Sequence, residues 1–260
     1  MRRDRGRGAP GARDLRRGAR RGRRVSVHLI GGGWAEDESA WTGRFVEEAR
    51  ERAGGTPTIV VVLWAETVAE GEGWHDEYRA DLAKHGCELR FVQLAADRVL
   101  AADDLLGGDA IFVGGGLTPG YHAAVMPAAQ AIRELVADGT PYAGFSAGAM
   151  IAGDVALLGG WRIGGVEVTQ QPSSEGLDEV TLEEGLGLVD VVVDVHAAQY
   201  GNLGRAVAIV DAELAERTVA IDERTSLVAG AQALVAAGEG NVYVCTKDGP
   251  HVQVAVLGGR

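Results

Sequence analysis

The stretch YAGFSAGAMIAG, residues 142–153, sets a single serine, Ser146, between two glycines. A short apolar run precedes the serine and an alanine-rich run follows it, so the pattern predicts a strand, a sharp turn and a helix. Such an elbow exposes the hydroxyl at the end of the strand, beside the first N–H groups of the helix. Because Gly-x-Ser-x-Gly also arises by chance and a turn of small residues needs no chemistry, the surrounding sequence has to decide whether Ser146 is catalytic.

Around this stretch, short apolar runs rich in valine and isoleucine alternate with longer amphipathic segments. Runs that are apolar throughout suit strands covered on both faces, and helical segments between them suit crossover connections. We therefore predict an α/β fold with a parallel sheet flanked by helices, followed from Arg217 onward by short C-terminal strands. The predicted strands of the parallel sheet are residues 25–30, 58–65, 87–94, 109–116 and 140–146.

The N-terminal segment differs in composition from the rest of the chain. The first 24 residues hold eleven arginines and two aspartates, and we expect them to form a disordered tail. Residues 25–260 are predicted to form a single α/β domain. Without the tail the formal net charge changes from −12 to −21, because the tail contributes 11 − 2 = +9. A folded body this acidic argues against nucleic acid as a partner.

The lengths of the apolar runs and the two cysteines bear on where the protein acts and on whether it needs a cofactor. The apolar runs are too short for a membrane span, which needs about 20 apolar residues, so we predict no membrane role. Cys87 and Cys245 lie far apart, with no histidine or cysteine at a metal-binding spacing. They indicate a reduced cytoplasmic protein, and we predict neither a metal nor an organic cofactor. The sequence leaves open whether the chain forms a homodimer.

A catalytic serine needs a base, and His196 is the best candidate among the six histidines. In an open parallel sheet, ligands bind beyond the carboxyl ends of the strands, where Ser146 and two runs of three glycines, residues 31–33 and 114–116, are predicted to lie. His196 ends the apolar run VDVVVDVH, so it should also emerge at a strand end. The other histidines are predicted to lie inside strands or helices: His28, His75, His85, His122 and His251.

Four segments of the chain resemble a known family. IFVGGGLT, GFSAGAM, GLGLVDVVVDVHAAQYGNLGR and VAIDERTSLV, which span most of residues 109–228, are similar to segments of the S51 serine peptidases, which include aspartyl dipeptidase (peptidase E) and cyanophycinase. The resemblance implies a flavodoxin-like parallel sheet similar to the core of class I glutamine amidotransferases. It also implies a serine-type peptidase that cleaves small peptides, or aspartyl and isoaspartyl bonds, through an acyl-enzyme.

The resemblance also implies roles for individual residues. Ser146 matches the nucleophile and His196 the base, with the acid of the triad between them in the chain. Glu175 is the best match to that acid, and Glu167, Asp178 and Glu179 remain alternatives. The predicted oxyanion hole consists of the backbone N–H groups of Gly115, Gly116 and Ala147.

Gln199 and Arg205, which both follow His196 in the chain, are predicted to bind substrate. Arg205 matches a family arginine and would hold an acidic group of the substrate, or else pair with a nearby carboxylate. Gln199 lies in the polar segment that follows His196. Cyanophycinases carry a phenylalanine and two arginines where this chain has Ala197, Tyr200 and Asn202. These differences argue against cyanophycin as the substrate.

Two other functions remain open at this point. An esterase of the α/β-hydrolase class shares Gly-x-Ser-x-Gly, and His251, near the chain end, would then have to serve as its base. A member of the same fold that binds a ligand without catalysis is the second alternative.

Overall fold

The computed structural model describes residues 26–230 and 234–259, so the tail predicted for residues 1–24 lies outside the described residues. The strands are β1 (Val27–Ile30), β2 (Thr58–Trp64), β3 (Glu88–Leu94), β4 (Ala110–Val113), β5 (Tyr142–Phe145), β6 (Val155–Gly159), β7 (Arg162–Ile163), β8 (Val166–Glu167), β9 (Thr181–Glu184), β10 (Val192–Val195), β11 (Arg217–Ile221), β12 (Thr225–Ala229), β13 (Leu234–Gly238), β14 (Asn241–Asp248) and β15 (His251–Gly258). The α-helices are α1 (Ser39–Ala53), α2 (Val68–Glu72), α3 (His75–Leu82), α4 (Thr118–Val125), α5 (Ala129–Ala137), α6 (Ala147–Met150) and α7 (Leu203–Asp211).

The central sheet has seven strands in the order β13-β12-β1-β5-β4-β2-β3. Strands β1 to β5 pair in parallel, and β12 and β13 add two antiparallel strands at one edge. The interior of β2, IVVVL, is buried, as expected for a strand covered on both faces. The predicted α/β class, with a mainly parallel sheet flanked by helices, is confirmed.

The C-terminal strands divide between two sheets. Strands β10, β11, β14 and β15 form a second sheet in that order, and β10 and β11 run parallel. Buried side chains of both sheets, such as Val60 of β2 and Val193 of β10, belong to one apolar cluster. The backbone N–H of His196 donates to the carbonyl oxygen of Gly31 at 3.1 Å. The carboxyl end of β10 therefore meets the carboxyl end of β1.

The glycine-rich segment from residue 159 to 185 begins at the end of β6 and contains the short strands β7, β8 and β9. Strands β6 and β9 form one antiparallel pair, and β7 and β8 form another. Strands of two to five residues are too short to give a clear alternating pattern, so the sequence did not reveal them. None of the helices described here is long and apolar enough to cross a bilayer.

Candidate active site

Ser146 lies on a sharp elbow between β5 and α6. Its backbone has φ 51° and ψ −108°, a conformation that residues with a side chain seldom adopt. The flanking glycines are needed for close packing. A Cβ on Gly144 would lie 2.3 Å from the carbonyl oxygen of Gly148, and a Cβ on Gly148 would lie 2.3 Å from the carbonyl oxygen of Val113. The small residues that the sequence places around Ser146 thus let the chain turn directly at the end of the strand.

His196 reaches Ser146 from the second sheet. It follows β10, and its Nε2 atom lies 2.9 Å from the Oγ atom of Ser146. Its backbone also has a positive φ, 53°. The two strand ends that the sequence singled out therefore bring a hydroxyl and an imidazole within hydrogen-bonding distance, although the residues are fifty positions apart.

The acid beside the imidazole is Glu223. Its Oε1 atom lies 2.8 Å from the Nδ1 atom of His196, and both side chains are mostly buried. Glu223 follows β11, and β11 pairs in parallel with β10 so that Ile221 lies opposite Val195. The carboxylate and the imidazole consequently emerge side by side from neighbouring strands.

The loop that carries Glu223 is held by hydrogen bonds on both sides. The carboxylate of Asp222 accepts from the backbone N–H groups of Ala198 and Asn241, each at 2.9 Å. The backbone N–H of Glu223 donates to the side-chain oxygen of Gln199 at 3.0 Å. Gln199 thus supports the loop of the acid, instead of lining the cleft as the sequence predicted.

Glu175, the acid predicted from the sequence, lies elsewhere. Its Oε2 atom accepts the backbone N–H of Thr118 at 3.1 Å, at the start of α4. Burial raises the pKa of its carboxyl group. The prediction failed because it looked for the acid before the histidine in the chain, whereas the order in this structure is serine, histidine, acid.

The three alternatives to Glu175 also make other contacts. Glu167 pairs with a guanidinium, Asp178 accepts an indole N–H, and Glu179 accepts two backbone N–H groups of a turn. Glu223 satisfies the same rule that selected His196, because it comes directly after the strand RTVAI and one aspartate. The segment VAIDERTSLV, which carries part of the family resemblance, contains it. That strand-end position was the signal in the sequence.

Two glycine loops flank the serine, because they follow the strands on either side of β5. The first glycine loop, residues 31–33, follows β1. A Cβ on Gly32 would lie 2.3 Å from the Cε1 atom of His196, and a Cβ on Gly33 would lie 2.7 Å from the Cβ atom of Glu223. The first glycine loop thus forms a surface on which the histidine and the acid pack directly.

The second glycine loop, residues 114–116, follows β4 and contacts the serine itself. A Cβ on Gly115 would lie 2.9 Å from the Cβ atom of Ser146. The backbone N–H of Gly115 donates to the hydroxyl of Tyr78 at 2.9 Å, so this N–H is already engaged and does not fit the predicted oxyanion role. The N–H groups of Gly116 and Ala147 make no hydrogen bond within the described residues. They are the remaining candidates for the oxyanion hole.

Arg205 lies in the core and cannot reach a substrate in the cleft. Only 1% of its surface is exposed. Its guanidinium makes two hydrogen bonds to the carboxylate of Asp194, at 2.8 and 2.7 Å, and donates to the carbonyl oxygens of Gly160 and Ser173. The predicted capture of a substrate carboxylate by Arg205 is therefore wrong. The side chain instead ties α7 and β10 to the segment from residue 159 to 185.

The serine, the histidine and the acid open into a cleft of about 610 Å³. Ser146, His196 and Glu223 line it together with residues of both glycine loops and of the segment after β2. Much of the remaining wall is aromatic, including Trp34, Trp74 and Tyr200. The site therefore combines a hydroxyl–imidazole–carboxylate chain with a cavity large enough for a short peptide.

Comparison with known proteins identifies the family of this chain and proteins of similar fold. Residues 28–235 match the family model of Peptidase family S51. A crystal structure of a peptidase from an acI-B1 Actinobacterium superposes with a TM-score of 0.62 at 20% identity, covering 91% of this chain and 96% of that one. A putative peptidase E protein from Listeria monocytogenes EGD-e superposes with a TM-score of 0.54 at 19% identity, covering 82% and 98%. A search of curated proteins gave no match. Since the family model covers most of the chain, the chain belongs to peptidase family S51, a family of serine peptidases.

Proposed function

We propose that the chain hydrolyses amide bonds of small peptides through an acyl-enzyme formed on Ser146. The observation that supports this most directly is the continuous hydrogen-bonded chain from the Oγ atom of Ser146 through the imidazole of His196 to the carboxylate of Glu223. A nucleophile in contact with a base, and a base in contact with an orienting acid, is the arrangement of serine hydrolases.

In the first step His196 Nε2 takes the proton of the Ser146 hydroxyl as Oγ attacks the peptide carbonyl carbon. The carbonyl oxygen becomes an oxyanion, which the N–H groups of Gly116 and Ala147 would stabilise. His196 then gives the proton to the leaving amine, and the acyl-enzyme remains. His196 next takes a proton from water, whose oxygen attacks the acyl carbonyl carbon; the bond from that carbon to Oγ breaks, the acid product leaves, and His196 returns the proton to Oγ.

Glu223 acts through the imidazole. By accepting the Nδ1–H it holds the tautomer in which Nε2 is free to act as the base, and it stabilises the imidazolium formed during attack. The pair is mostly buried, which strengthens the interaction between the carboxylate and the imidazolium.

The size of the cleft favours small peptides over folded proteins. A volume of about 610 Å³ lies in the range of sites for small molecules. The preference for aspartyl or isoaspartyl bonds came from the family resemblance, and Arg205, the side chain predicted to hold the acidic group, is buried in an ion pair. It stays a prediction and is not part of this proposal.

A comparison of wild type, Ser146→Ala and Ser39→Ala tests the proposal. Ser39 is an exposed serine on α1 and serves as the matched control. A fluorophosphonate probe should label wild type and Ser39→Ala at Ser146, and a library of small peptides should contain substrates that both cleave. Ser146→Ala should show neither labelling nor turnover. Unchanged turnover in Ser146→Ala would overturn the proposal.

The same assay separates the two alternatives. His196→Ala should abolish turnover, whereas His251→Ala should retain it, because His251 is an exposed residue of β15 that does not line the cleft. The opposite result would favour the esterase with His251 as its base. A folded protein that binds peptides but never reacts with the probe would favour the member without catalysis.

A further inference from the structure

The cleft beside Ser146 is lined by aromatic side chains that are unusually exposed to solvent. Trp34, Trp74 and Tyr200 are each between 42% and 51% exposed although they line the cleft. Trp34 packs against Phe145, with ring centroids 4.9 Å apart, and Tyr200 stacks on His196 at 4.5 Å. Rings that are held in place and still exposed in a cleft indicate a surface that a ligand covers.

The charged groups of this cleft are almost all acidic. Glu66, Glu70 and Glu223 line it, and no lysine or arginine of the described residues does so. Glu223 is engaged with His196. Glu66 and Glu70 are exposed, and neither forms an ion pair within residues 26–230 and 234–259. Two carboxylates therefore face the cleft without a cation from the described part of the chain.

The order of the strands sets the distance between these carboxylates and the serine. Glu66 comes two residues after β2, and β2 is the second neighbour of β5, with β4 between them. Adjacent strands lie about 4.8 Å apart, so the ends of β2 and β5 are about 10 Å apart. An extended peptide spans about 3.4 Å per residue. A group bound near Glu66 is thus two or three residues from the bond at Ser146.

From these observations we infer that the enzyme selects small peptides that carry a cationic group two or three residues from the cleaved bond. The inference rests on the proposed peptidase function and names the substrate class of that same site. A lysine or arginine side chain, or a free amino terminus, supplies the charge. Aromatic faces attract such a cation, and the carboxylates of Glu66 and Glu70 add Coulomb attraction.

An acidic peptide meets the opposite field. A carboxylate two or three residues from the cleaved bond lies near Glu66 and finds no cationic partner among the described residues that line the cleft. Repulsion then weakens binding. The prediction differs from the one based on Arg205, which would have favoured an acidic substrate.

A set of quenched fluorescent peptides of one length tests the inference. Each peptide carries lysine, norleucine or glutamate at the third position from the cleaved bond, and the set includes this position on both sides of the bond. Each peptide is made with a free and with an acetylated amino terminus. Norleucine keeps the apolar stem of lysine without its charge. We expect kcat/KM for lysine about tenfold above norleucine, which corresponds to about 1.4 kcal/mol, and glutamate below both.

Acetylation distinguishes the two sources of charge. If the amino terminus supplies the cation, acetylation removes the advantage, whereas a lysine side chain retains it. The advantage should also fall as salt rises, because screening weakens attraction between exposed charges. Equal kcat/KM for the lysine, norleucine and free-amine peptides, or a preference for glutamate, would overturn the inference.

Variants assign the preference to the two carboxylates. In the double variant Glu66→Gln with Glu70→Gln, the ratio of lysine to norleucine kcat/KM should fall towards one. Glu72→Gln is the matched control, because Glu72 is an exposed residue of α2 that does not line the cleft. The control should keep the wild-type ratio. A ratio that changes equally in both would mean that the preference comes from overall charge and would overturn the assignment to this site.

The inference and the proposed function can fail separately. Suppose that the norleucine peptide is cleaved and the probe labels Ser146, but kcat/KM does not depend on peptide charge. This result would reject only the inference. If no peptide is cleaved, binding of the same peptides to Ser146→Ala still tests charge selection. The fluorescence of the exposed tryptophans Trp34 and Trp74 measures that binding. Tighter binding of the lysine peptide would support the inference, and equal binding would overturn it.

Discussion

The two glycine loops have the same tripeptide and follow strands on either side of β5, yet they contact different parts of the site. In the first glycine loop, Gly32 and Gly33 pack against the histidine and the acid. In the second glycine loop, Gly115 packs against Ser146, and Tyr78 holds its N–H. The role of each loop is therefore set by the side chains that the fold brings to it.

One glutamate lies near each glycine loop, and the two glutamates also make different contacts. Glu223 lies beside the first glycine loop and accepts a hydrogen bond from the imidazole of His196 in the tautomer proposed for catalysis. Glu175 accepts the N–H of Thr118, two residues after the second glycine loop. One carboxylate is placed to act on the reacting groups, and the other to hold the start of a helix.

The largest expected effect separates these two glutamates. Glu223→Gln should lower kcat by about 10³- to 10⁴-fold, because a neutral amide does not stabilise the imidazolium and can present an N–H to Nδ1. Glu175→Gln, the matched control, should keep kcat within about tenfold, since it leaves the triad contacts in place. Steady-state kinetics on a cleaved peptide measures both, with circular dichroism as a check on folding. An equal loss of kcat in the two variants would contradict the different roles given to the two glutamates.

The next effect concerns the first glycine loop. Gly32→Ala places a Cβ 2.3 Å from the Cε1 atom of His196, at a residue with φ 92°, so the imidazole has to move. Since a displacement of about 1 Å can cost about a hundredfold in rate, we expect kcat/KM to fall by at least about that factor.

Gly54→Ala is the control for this variant. Gly54 also has a positive φ, 67°, but a Cβ there meets nothing within 4 Å. It should cost only about 1 kcal/mol of stability and leave kcat/KM unchanged. A variant Gly32→Ala with wild-type activity would show that the loop does not determine the position of the imidazole.

A smaller effect is expected for the second glycine loop. Tyr78→Phe removes the hydroxyl that accepts the N–H of Gly115, and the neighbouring N–H of Gly116 then loses part of its orientation. We expect kcat to fall about tenfold with KM nearly unchanged, because the oxyanion contact matters mainly in the transition state. Thermal unfolding should accompany the kinetics. A loss of stability with an unchanged kcat would assign Tyr78 to packing alone.

The last effect is on stability instead of activity, and it concerns pH and the segment after the first glycine loop. A carboxyl oxygen of Glu38 accepts the N–H of Ala35, and burial together with the nearby Asp81 raises the pKa of Glu38 to about 8. A raised pKa means that the folded state holds the proton more tightly than the unfolded state does. The free energy of unfolding should therefore decrease as pH rises from about 4.5 to about 8.

Urea unfolding at several pH values checks this expectation. Glu38→Gln has no proton to lose, so its free energy of unfolding should change less over the same range. Parallel curves for wild type and variant would contradict the assignment to Glu38.

Local pattern predicted where two of the site's side chains lie. The elbow around Ser146 follows from small residues between an apolar run and a helical run, and His196 follows from its place at the end of an apolar run. Glu223 obeys the same rule, but a sequence contains many acids after strands. Only the parallel pairing of β10 with β11 shows which acid lies next to the histidine.

Arg205 shows the opposite error. A guanidinium on a helix after the histidine has the right chemistry to bind a carboxylate, and it does bind one. The carboxylate belongs to Asp194 of the same chain, and the pair is fully enclosed. Burial depends on what packs around a side chain, so local sequence could not distinguish a structural partner from a substrate.

By itself the sequence determined the parallel strands, the serine elbow and the strand-end histidine, because each depends on residues close together in the chain. The tertiary structure alone decided that Glu223 lies beside the imidazole of His196, that the first glycine loop packs against both side chains, and that the cleft is aromatic and acidic. The physical reason is that these features arise where the ends of two sheets meet. Which strand ends become neighbours is a property of packing between distant segments.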